Sequence, residues 1–240
     1  MGEGERGWPL LRVDLLSLFP RMLDSFLAES VLGRALRAGV ISLSSHSIRN
    51  WATGRHLIAD DRPFGGGAGM VLKPEPICRA IDSLRGEGTK VIYLCPDGVP
   101  LNAALAESLA RERHLILLCG HYEGIDERIR KSRVDLEVSI GEYVLTNGLL
   151  PAAVLLDAIC RHVPGVLGEA ESLRQDSFHG GLLTFPQYTR PELFEGMAVP
   201  DILLSGHHKK IDEWRRERQE ERTRLRRPDL WEKYVNGSKN

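Results

Sequence analysis

The chain alternates short apolar runs with amphipathic stretches, and this alternation predicts strands interleaved with helices. Buried strands are indicated where aliphatic side chains cluster, at residues 11–19, 40–48, 90–94, 115–118 and 134–140. Helical spacing of apolar side chains, with proline, asparagine or glycine near the ends, follows at residues 21–37, 74–84, 102–110 and 151–163. This succession predicts an α/β domain built on a mostly parallel sheet.

Three of the predicted strands end in short turns that contain glycine or proline. The turns begin at Cys95-Pro96, Cys119-Gly120 and Ile140-Gly141. Ligands of parallel sheets bind outside the carboxyl ends of the strands, where such turns leave backbone groups accessible. The sequence therefore predicts one composite pocket made from adjacent strand ends.

A long irregular loop, residues 49–70, carries the word DDRPFGGGAGM. Four glycines within five residues would let a flat ligand or a sugar-phosphate backbone approach the main chain. The word is not a nucleotide-hydrolase phosphate loop, because the Gly-Lys-Ser/Thr ending is missing. The glycines by themselves favour an ordinary surface loop over a binding site.

Composition indicates a soluble globular protein of one large or two modest domains, since 42% of the 240 residues are hydrophobic and 27% are charged. No apolar run approaches the roughly 18 residues of a membrane span. The first ten residues lack a basic segment followed by an apolar one, so we expect a cytoplasmic protein. The four cysteines are irregularly spaced within apolar runs and predict buried reduced thiols instead of a metal site.

Positive charge is concentrated near the C-terminus. Residues 205–240 contain 11 Lys and Arg against 7 Asp and Glu, although the whole chain has a net charge of -1. In a helix over residues 207–225, capped by Ser205, the side chains of Arg215, Arg218 and Arg222 would share one stripe. Such a stripe suits contacts with nucleic-acid phosphates, and an ordinary solvated helix is the alternative.

Five sequence words, taken in order, resemble one family. They are DDRPFGGGAGMVLKPEP, GHYEGIDER, SIGEYVLTNGLLPA, CRHVPGVLG and DSFHGGLLTFPQYTRPELFEGMAVPDILLSGHH. They resemble the bacterial tRNA (guanine-N1-)-methyltransferases, the TrmD family of knotted (SPOUT-type) methyltransferases, from about Leu11 to Tyr234. The resemblance implies a deep trefoil knot in the α/β domain, a small all-α C-terminal domain, and a homodimer with active sites at the subunit interface. It also gives the glycine loop a part in the cofactor and guanine site.

The domains expected from this resemblance are a knotted methyltransferase domain at residues 1–167, a linker at 168–181 and a helical tRNA-binding domain at 182–240. S-Adenosylmethionine is the implied methyl donor, with Mg²⁺ as a further candidate cofactor. The implied donor contacts cluster on the three strand-end turns: Tyr93, Pro96, Gly120, Tyr122, Glu123, Ile140, Gly141, Glu142, Tyr143, Val144, Leu145, Gly148 and Pro151.

Two residues are the candidates for catalysis. Composition alone makes Asp176 a linker carboxylate or a helix cap, whereas the family word beginning DSF makes it the general base. Arg161 lies opposite the apolar stripe of the predicted helix 151–163, where it could simply pair with Asp157. Guanine N1 carries a proton that a carboxylate can accept, and a guanidinium can stabilise the charge that develops on O6. We therefore expect Asp176 as the base and Arg161 as the O6 stabiliser.

The chain departs from the family pattern at three positions. Gln175 stands where relatives often have an acidic residue, which weakens the case for a second carboxylate that helps to hold Mg²⁺. Asn147 and Leu149 replace a frequent Gly and Glu at the pocket rim. The expected reaction is methyl transfer to N1 of the guanosine immediately 3′ of the tRNA anticodon. A knotted ribose 2′-O-methyltransferase and a non-catalytic RNA-binding module are the alternatives.

Overall fold

The computed structural model describes residues 10–167 and 176–237. The chain divides into two compact units, residues 1–168 (unit 1) and residues 169–240 (unit 2). Most of the predicted linker, residues 168–175, lies outside the described residues, and so does Gln175. No helix in the described ranges combines the length and the apolar character needed to cross a membrane.

Unit 1 is built on a sheet of five strands, β1 (Leu11–Ser17), β2 (Ile41–Ser47), β5 (Thr89–Pro100), β6 (His114–Cys119) and β7 (Leu136–Ser139). Their order in the sheet is β2-β1-β6-β5-β7, and every neighbouring pair is parallel. A separate antiparallel pair joins β3 (Asp60–Asp61) to β4 (Val71–Leu72). The predicted parallel α/β sheet is confirmed, whereas the trefoil knot stays a prediction.

The helices of unit 1 follow the strands along the chain. They are α1 (Asp24–Ala28), α2 (Ser30–Arg37), α3 (Pro74–Leu84), α4 (Ala103–Leu109), α5 (Glu127–Arg133) and α6 (Leu149–Cys160). The bounds of α3 agree with the prediction. Asn102 caps α4 as expected, because its side-chain oxygen accepts a hydrogen bond from the Leu105 N–H at 2.9 Å. Helix α6 begins two residues before Pro151.

The single helix predicted for residues 21–37 is wrong. A short 3-10 helix, Pro20–Leu23, leads into α1, and Glu29 then adopts an extended conformation before α2 begins. The two helices approach closely at Gly33, where an added Cβ would lie 2.3 Å from the Ala28 carbonyl oxygen. Arg37 also donates a hydrogen bond to that oxygen, at 2.7 Å. The apolar spacing continues through the break, so periodicity could not reveal it.

The sheet is covered by an apolar layer on each face, as expected for a parallel sheet with near-continuous apolar strands. Alternate residues of β6 point to opposite layers: Leu115 and Leu117 pack with α2, α4 and α6, whereas Ile116 and Leu118 pack with α3 and α5. Both faces of the sheet are therefore covered by helices, and a ligand can reach the sheet at the carboxyl ends of its strands.

One carboxylate is buried within this sheet and fully supplied with donors. Asp14 on β1 is 1% exposed and lies 2.6 Å from His46 Nε2, 2.8 Å from His114 Nε2 and 2.8 Å from the Arg12 guanidinium. Burial by itself would raise the pKa of Asp14, but these hydrogen bonds and charges lower it below its ordinary value. The network ties three neighbouring strands together.

Unit 2 contains a hairpin of β8 (Leu193–Phe194) and β9 (Met197–Ala198), followed by α7 (Asp201–Leu204), α8 (His208–Arg226) and α9 (Pro228–Gly237). The expected all-α character is therefore wrong. Glu195 and Gly196 both have positive φ, as a tight two-residue hairpin turn requires. Ser205 does not cap α8, whose N-cap position is His207. The Ser205 hydroxyl instead donates a hydrogen bond to the Ile202 carbonyl within α7.

Candidate active site

Three strand ends of unit 1 surround one cavity of about 260 Å³. Strands β6, β5 and β7 are adjacent and parallel, so their carboxyl ends meet at one edge of the sheet. The pairing of β5 with β7 breaks between Leu94 and Val99, and three residues of the intervening bulge, Cys95, Pro96 and Asp97, line the cavity. The cavity lies where the sequence predicts a composite pocket.

Nearly all of the residues predicted to contact the methyl donor lie in the cavity walls. Glu142 is the exception among them. Glu142 is exposed and lies outside the walls, although its neighbours Gly141 and Tyr143 belong to them. The structure thus brings the three predicted turns together around one space.

The wall between β6 and α6 is made of closely packed backbone. The Gly148 N–H donates a hydrogen bond to the Gly120 carbonyl at 2.9 Å, and His121 and Asn147 form an isolated bridge beside it. A Cβ at Gly148 would lie 2.9 Å from the Cys119 Cα. Side chains are therefore excluded here, and a ligand can reach the main chain directly.

The two departures at the pocket rim have structural roles. The Asn147 side-chain oxygen accepts a hydrogen bond from the Leu149 N–H at 2.9 Å and so satisfies a donor at the start of α6. Leu149 itself is 1% exposed and packs in the core layer beneath the cavity. Both residues support the wall, and neither blocks the cavity.

The rim formed by the GHYEG turn meets the end of the glycine loop. The Glu123 N–H donates to the Met70 carbonyl at 3.1 Å, and a Cβ at Gly69 would collide with the Glu123 side chain. Tyr122 has a φ of 56°, and its N–H donates to His121 Nδ1 at 2.9 Å. The C-terminal end of the glycine loop is therefore next to a predicted donor contact.

Sequence reasoning missed a polar cluster on the opposite wall. Arg130 on α5 pairs with Asp97 in the β5 bulge and with Glu137 on β7, and both Arg130 and Asp97 line the cavity. The Arg130 hydrogen bond holds the pKa of Asp97 below its ordinary value, and the two carboxylates raise the pKa of Arg130. The short charged stretch of α5 has one buried apolar residue, Ile129, so it gave no periodic signal.

Cys95, Asp97 and Glu137 come close enough together to be considered as metal ligands, with their donor atoms within 4.8 Å of one another. Both carboxylates are already engaged by the Arg130 guanidinium. Burial and the neighbouring Asp97 raise the pKa of Cys95 to about 12. The Arg130 guanidinium therefore already offsets part of the negative charge of this group of residues.

Comparison with known proteins bears on what this cavity does. The family model described as tRNA (Guanine-1)-methyltransferase TrmD matches residues 11–233. A tRNA (guanine-N(1)-)-methyltransferase of Staphylococcus carnosus is 52% identical over 225 residues, which cover 93% of this chain and 92% of the relative. Those of Dictyoglomus turgidum and Protochlamydia amoebophila are 50% and 52% identical, over 93% and 91% of this chain and 91% and 98% of their own lengths. The chain belongs to the TrmD family.

The candidate catalytic residues of this TrmD family member lie in different units. Arg161 is half-buried and directly follows α6 in unit 1. The residues predicted to form the apolar stripe opposite it are buried: Ala152, Leu155, Leu156, Ile159 and Val163. Asp176 is half-buried in unit 2. That the two residues act at one site stays a prediction.

The segment that follows Asp176 is anchored within unit 2. The Phe178 N–H donates to the Leu182 carbonyl at 2.6 Å, and the Thr184 N–H donates to Ser177 Oγ at 3.0 Å. The Leu183 N–H donates to Thr223 Oγ1 at 2.9 Å, and Thr223 on α8 is fully buried. The candidate base is therefore followed by a turn that is fixed to the long helix.

The predicted basic stripe on α8 differs from a fully solvated surface. Arg215 and Arg218 are half-buried, with 36% and 37% of their side chains exposed. The Arg215 guanidinium lies 4.9 Å from the ring centroid of buried Phe185, and Arg218 pairs with Glu221 at 2.5 Å. The stripe is partly used for packing within unit 2, so contacts with tRNA phosphates stay a prediction for this TrmD family member.

Proposed function

We propose that this protein transfers a methyl group from S-adenosylmethionine to N1 of the guanosine immediately 3′ of a tRNA anticodon. The observation that carries this proposal is the backbone-walled cavity at three strand ends, in a chain that matches the TrmD family over residues 11–233. The relatives named above are tRNA (guanine-N(1)-)-methyltransferases, which supports both the substrate class and the methylated atom.

The cavity residues fit the methyl donor. Gly120 and Gly148 leave main-chain groups open to an adenine or ribose edge, and Ile140 and Leu145 offer apolar surface to a flat ring. Charged lining residues are Asp97, Glu123 and Arg130, two carboxylates against one guanidinium, which suits a cationic ligand. S-Adenosylmethionine would supply an electrophilic methyl group on its sulfonium sulfur.

Asp176 acts as the general base in this proposal. The N1 lone pair of neutral guanine is not available while N1 carries its proton, so a carboxylate must accept that proton before or during methyl transfer. Positioned general bases contribute about 10² to 10⁴ in rate. The turn fixed to Thr223 supports the role, because a base must be held in position to act.

Arg161 stabilises the charge that moves onto guanine O6 as the proton leaves N1. A guanidinium cannot lose its own proton at working pH, so it remains a fixed positive charge throughout the reaction. Transfer of the methyl group then depends on the alignment of guanine N1 with the sulfonium methyl group. The cavity walls orient S-adenosylmethionine, which is one of these two reactants.

The proposal includes a homodimer with active sites at the subunit interface and a trefoil knot in unit 1. Leu150 and Val154 on α6 are 55% and 48% exposed, and this exposed apolar surface supports a partner subunit against the helix. The hydrogen bond from the Gly148 N–H to the Gly120 carbonyl holds the segment after β7 against the end of β6. A knot that threads this segment would require such a contact.

The test is nucleoside analysis of tRNA after incubation with S-adenosylmethionine that carries a labelled methyl group. We expect 1-methylguanosine at the position 3′ of the anticodon. Ribose 2′-O-methylation would support the first alternative, and tRNA binding without any methylation would support the non-catalytic module. A chelator titration in the same assay tests whether Mg²⁺ takes part.

The assignment of the base is tested with Asp176→Asn, which we expect to lower kcat by about 10² to 10⁴ with little change in donor affinity. Asp201→Asn, an exposed carboxylate of the same unit, is the matched control and keeps the full rate. Full activity in Asp176→Asn would show that another group accepts the proton.

A further inference from the structure

Arg130 lines the methyl-donor cavity and contacts residues of both β5 and β7. Its Nε and Nη2 donate hydrogen bonds to the two Glu137 carboxylate oxygens, at 2.8 and 2.5 Å. Nη2 also donates to Asp97 Oδ2 at 2.6 Å, and the guanidinium carbon is 5.7 Å from the centroid of the Tyr93 ring. Three quarters of the side chain is withdrawn from solvent, since 25% is exposed.

The partners of Arg130 belong to different parts of the site. Glu137 is on β7, Tyr93 is on β5, and Asp97 is in the bulge where β5 leaves its pairing with β7. The bulge residues Cys95, Pro96 and Asp97 line the cavity and lie outside the ladder of paired residues. A hydrogen bond from Arg130 to Asp97 therefore holds a wall segment that the sheet itself leaves unpaired.

Electrostatics strengthens this function of the guanidinium. The carboxylates of Asp97 and Glu137 approach within 4.8 Å, and like charges at that separation repel each other. Arg130 donates to both, and hydrogen bonds between ionised partners are stronger than neutral ones. Without the guanidinium, the repulsion would drive the bulge away from β7 and widen the cavity.

We propose that Arg130 is a positioning residue that sets the shape of the methyl-donor cavity by fixing the β5 bulge against β7. The proposal rests on the proposed function, which places S-adenosylmethionine in this cavity. Arg130 acts through Asp97, Glu137 and Tyr93 and takes no part in the proton or methyl transfer, because its donors are directed at the two carboxylates.

The expected consequence is a loss of donor affinity without a loss of chemistry. Arg130→Met removes the charged hydrogen bonds and should raise the KM and the Kd for S-adenosylmethionine by roughly tenfold or more. At saturating donor, kcat should change by less than about twofold, because the reacting groups are untouched. Arg130→Lys keeps the charge but cannot donate to both carboxylates in the same geometry, so it should recover only part of the affinity.

The same helix offers a matched control. Arg133 on α5 pairs with Asp82, at 2.7 Å from Nε, and is similarly half-buried with 33% of its side chain exposed. It does not line the cavity. Arg133→Met therefore removes an equivalent ion pair from the same helix, and it should leave the KM for the donor within about twofold of the wild type.

The measurements are donor Kd by calorimetry, KM and kcat by methyl transfer to tRNA, and Tm for each variant. A second variant, Asp97→Asn, keeps the Arg130 to Glu137 pair and alters an exposed side chain, so it stays folded if Arg130→Met does not. We expect Asp97→Asn to raise the donor KM, and its effect should not add in full to that of Arg130→Lys, because both variants weaken the same Arg130 to Asp97 hydrogen bond.

The proposal is overturned if Arg130→Met raises the donor KM no more than Arg133→Met does, or if kcat falls while KM is unchanged. Fully additive effects of Asp97→Asn and Arg130→Lys would also overturn it, since Asp97 and Arg130 would then act on donor binding separately. Failure of the proposed function has a different signature, because wild-type protein would then neither bind S-adenosylmethionine nor form 1-methylguanosine.

Discussion

Unit 1 contains two glycine-bearing regions that use the missing side chain in different ways. In the loop before β4, Gly65, Gly66 and Gly67 have positive φ, and an added Cβ would meet no atom within 4 Å. At Gly98 in the β5 bulge and Gly148 in the cavity wall the backbone is not left-handed, yet an added Cβ would lie within 3.0 Å of other backbone atoms. The loop glycines supply conformation, whereas Gly98 and Gly148 supply space.

The glycines with close backbone neighbours are the ones on which the packing of unit 1 depends. The run of four glycines within residues 65–69 is easily noticed in the sequence, whereas Gly98 and Gly148 are isolated glycines that belong to no glycine-rich motif. Packing energy depends on atoms that are close in space, and a collision with backbone cannot be relieved by a rotamer change. The less conspicuous glycines are therefore expected to be the less replaceable ones.

The largest effect is expected for Gly98→Ala. The new Cβ would lie 2.5 Å from the Glu137 carbonyl carbon and the Val138 nitrogen, so β5 and β7 would have to separate. We expect a loss of about 3 kcal/mol in the free energy of unfolding, at the upper end for overpacking. Urea denaturation measures it, and an unchanged midpoint would mean that the bulge can move without affecting the sheet.

A smaller loss is expected for Gly148→Ala, where the nearest atoms are the Cys119 Cα at 2.9 Å and the Gly120 nitrogen at 3.0 Å. We expect about 2 kcal/mol of destabilisation, because α6 must shift away from the end of β6. Since this contact forms a cavity wall, calorimetry should also show at least a tenfold weaker Kd for S-adenosylmethionine, by the affinity arithmetic of roughly 1.4 kcal/mol per tenfold. An unchanged Kd would show that this wall of the cavity does not contact bound S-adenosylmethionine.

The smallest effect is expected for Gly66→Ala. The added methyl group meets no neighbour, and the remaining cost is that of a left-handed alanine, about 1 kcal/mol. The donor Kd should remain within about twofold of the wild type, since the change removes no cavity contact. A tenfold change in Kd would show that the glycine loop closes over the donor.

Gly86→Ala is the control for this series. Its φ is not left-handed, and the nearest atom to an added Cβ, the Thr89 hydroxyl oxygen, is 4.0 Å away. Replacing such a glycine restricts the unfolded chain and should stabilise the protein by about 0.4–1 kcal/mol. Destabilisation here would mean that the effects at the other positions do not come from φ or from collision.

The sequence predicted the parts of the fold in which local and long-range preferences agree. Helix α3 agrees because proline opens it and its apolar face is regular. The helix over residues 21–37 was wrong, because the close approach at Gly33 depends on a contact that periodicity does not contain. Helix α5 was missed because it is short and buries Ile129 alone, so its position depends on ion pairs with distant residues.

The candidate site was predictable to a similar extent. Turns at the ends of neighbouring parallel strands have to meet, which explains why the predicted contacts on β5, β6 and β7 line one cavity. Arg130 and Asp97 are 33 residues apart in the chain, and they meet because β5 forms a bulge that contains Asp97. No sequence motif marks that bulge. Resemblance to the family gave the positions of Arg161 and Asp176, which composition alone does not distinguish.

The strand order of the sheet has a consequence for how the protein is made. β5 pairs with β6 and β7, both of which are translated after it, and β6 is also the strand that joins β5 to β1. β6 ends 19 residues after β5, so at about 5–20 residues per second β5 leaves the ribosome roughly one to four seconds before β6 does. During that interval the apolar residues Val91 to Leu94 have no partner strand. The nascent chain therefore exposes an unpaired strand edge that can aggregate, and molecular chaperones that bind such edges would protect it.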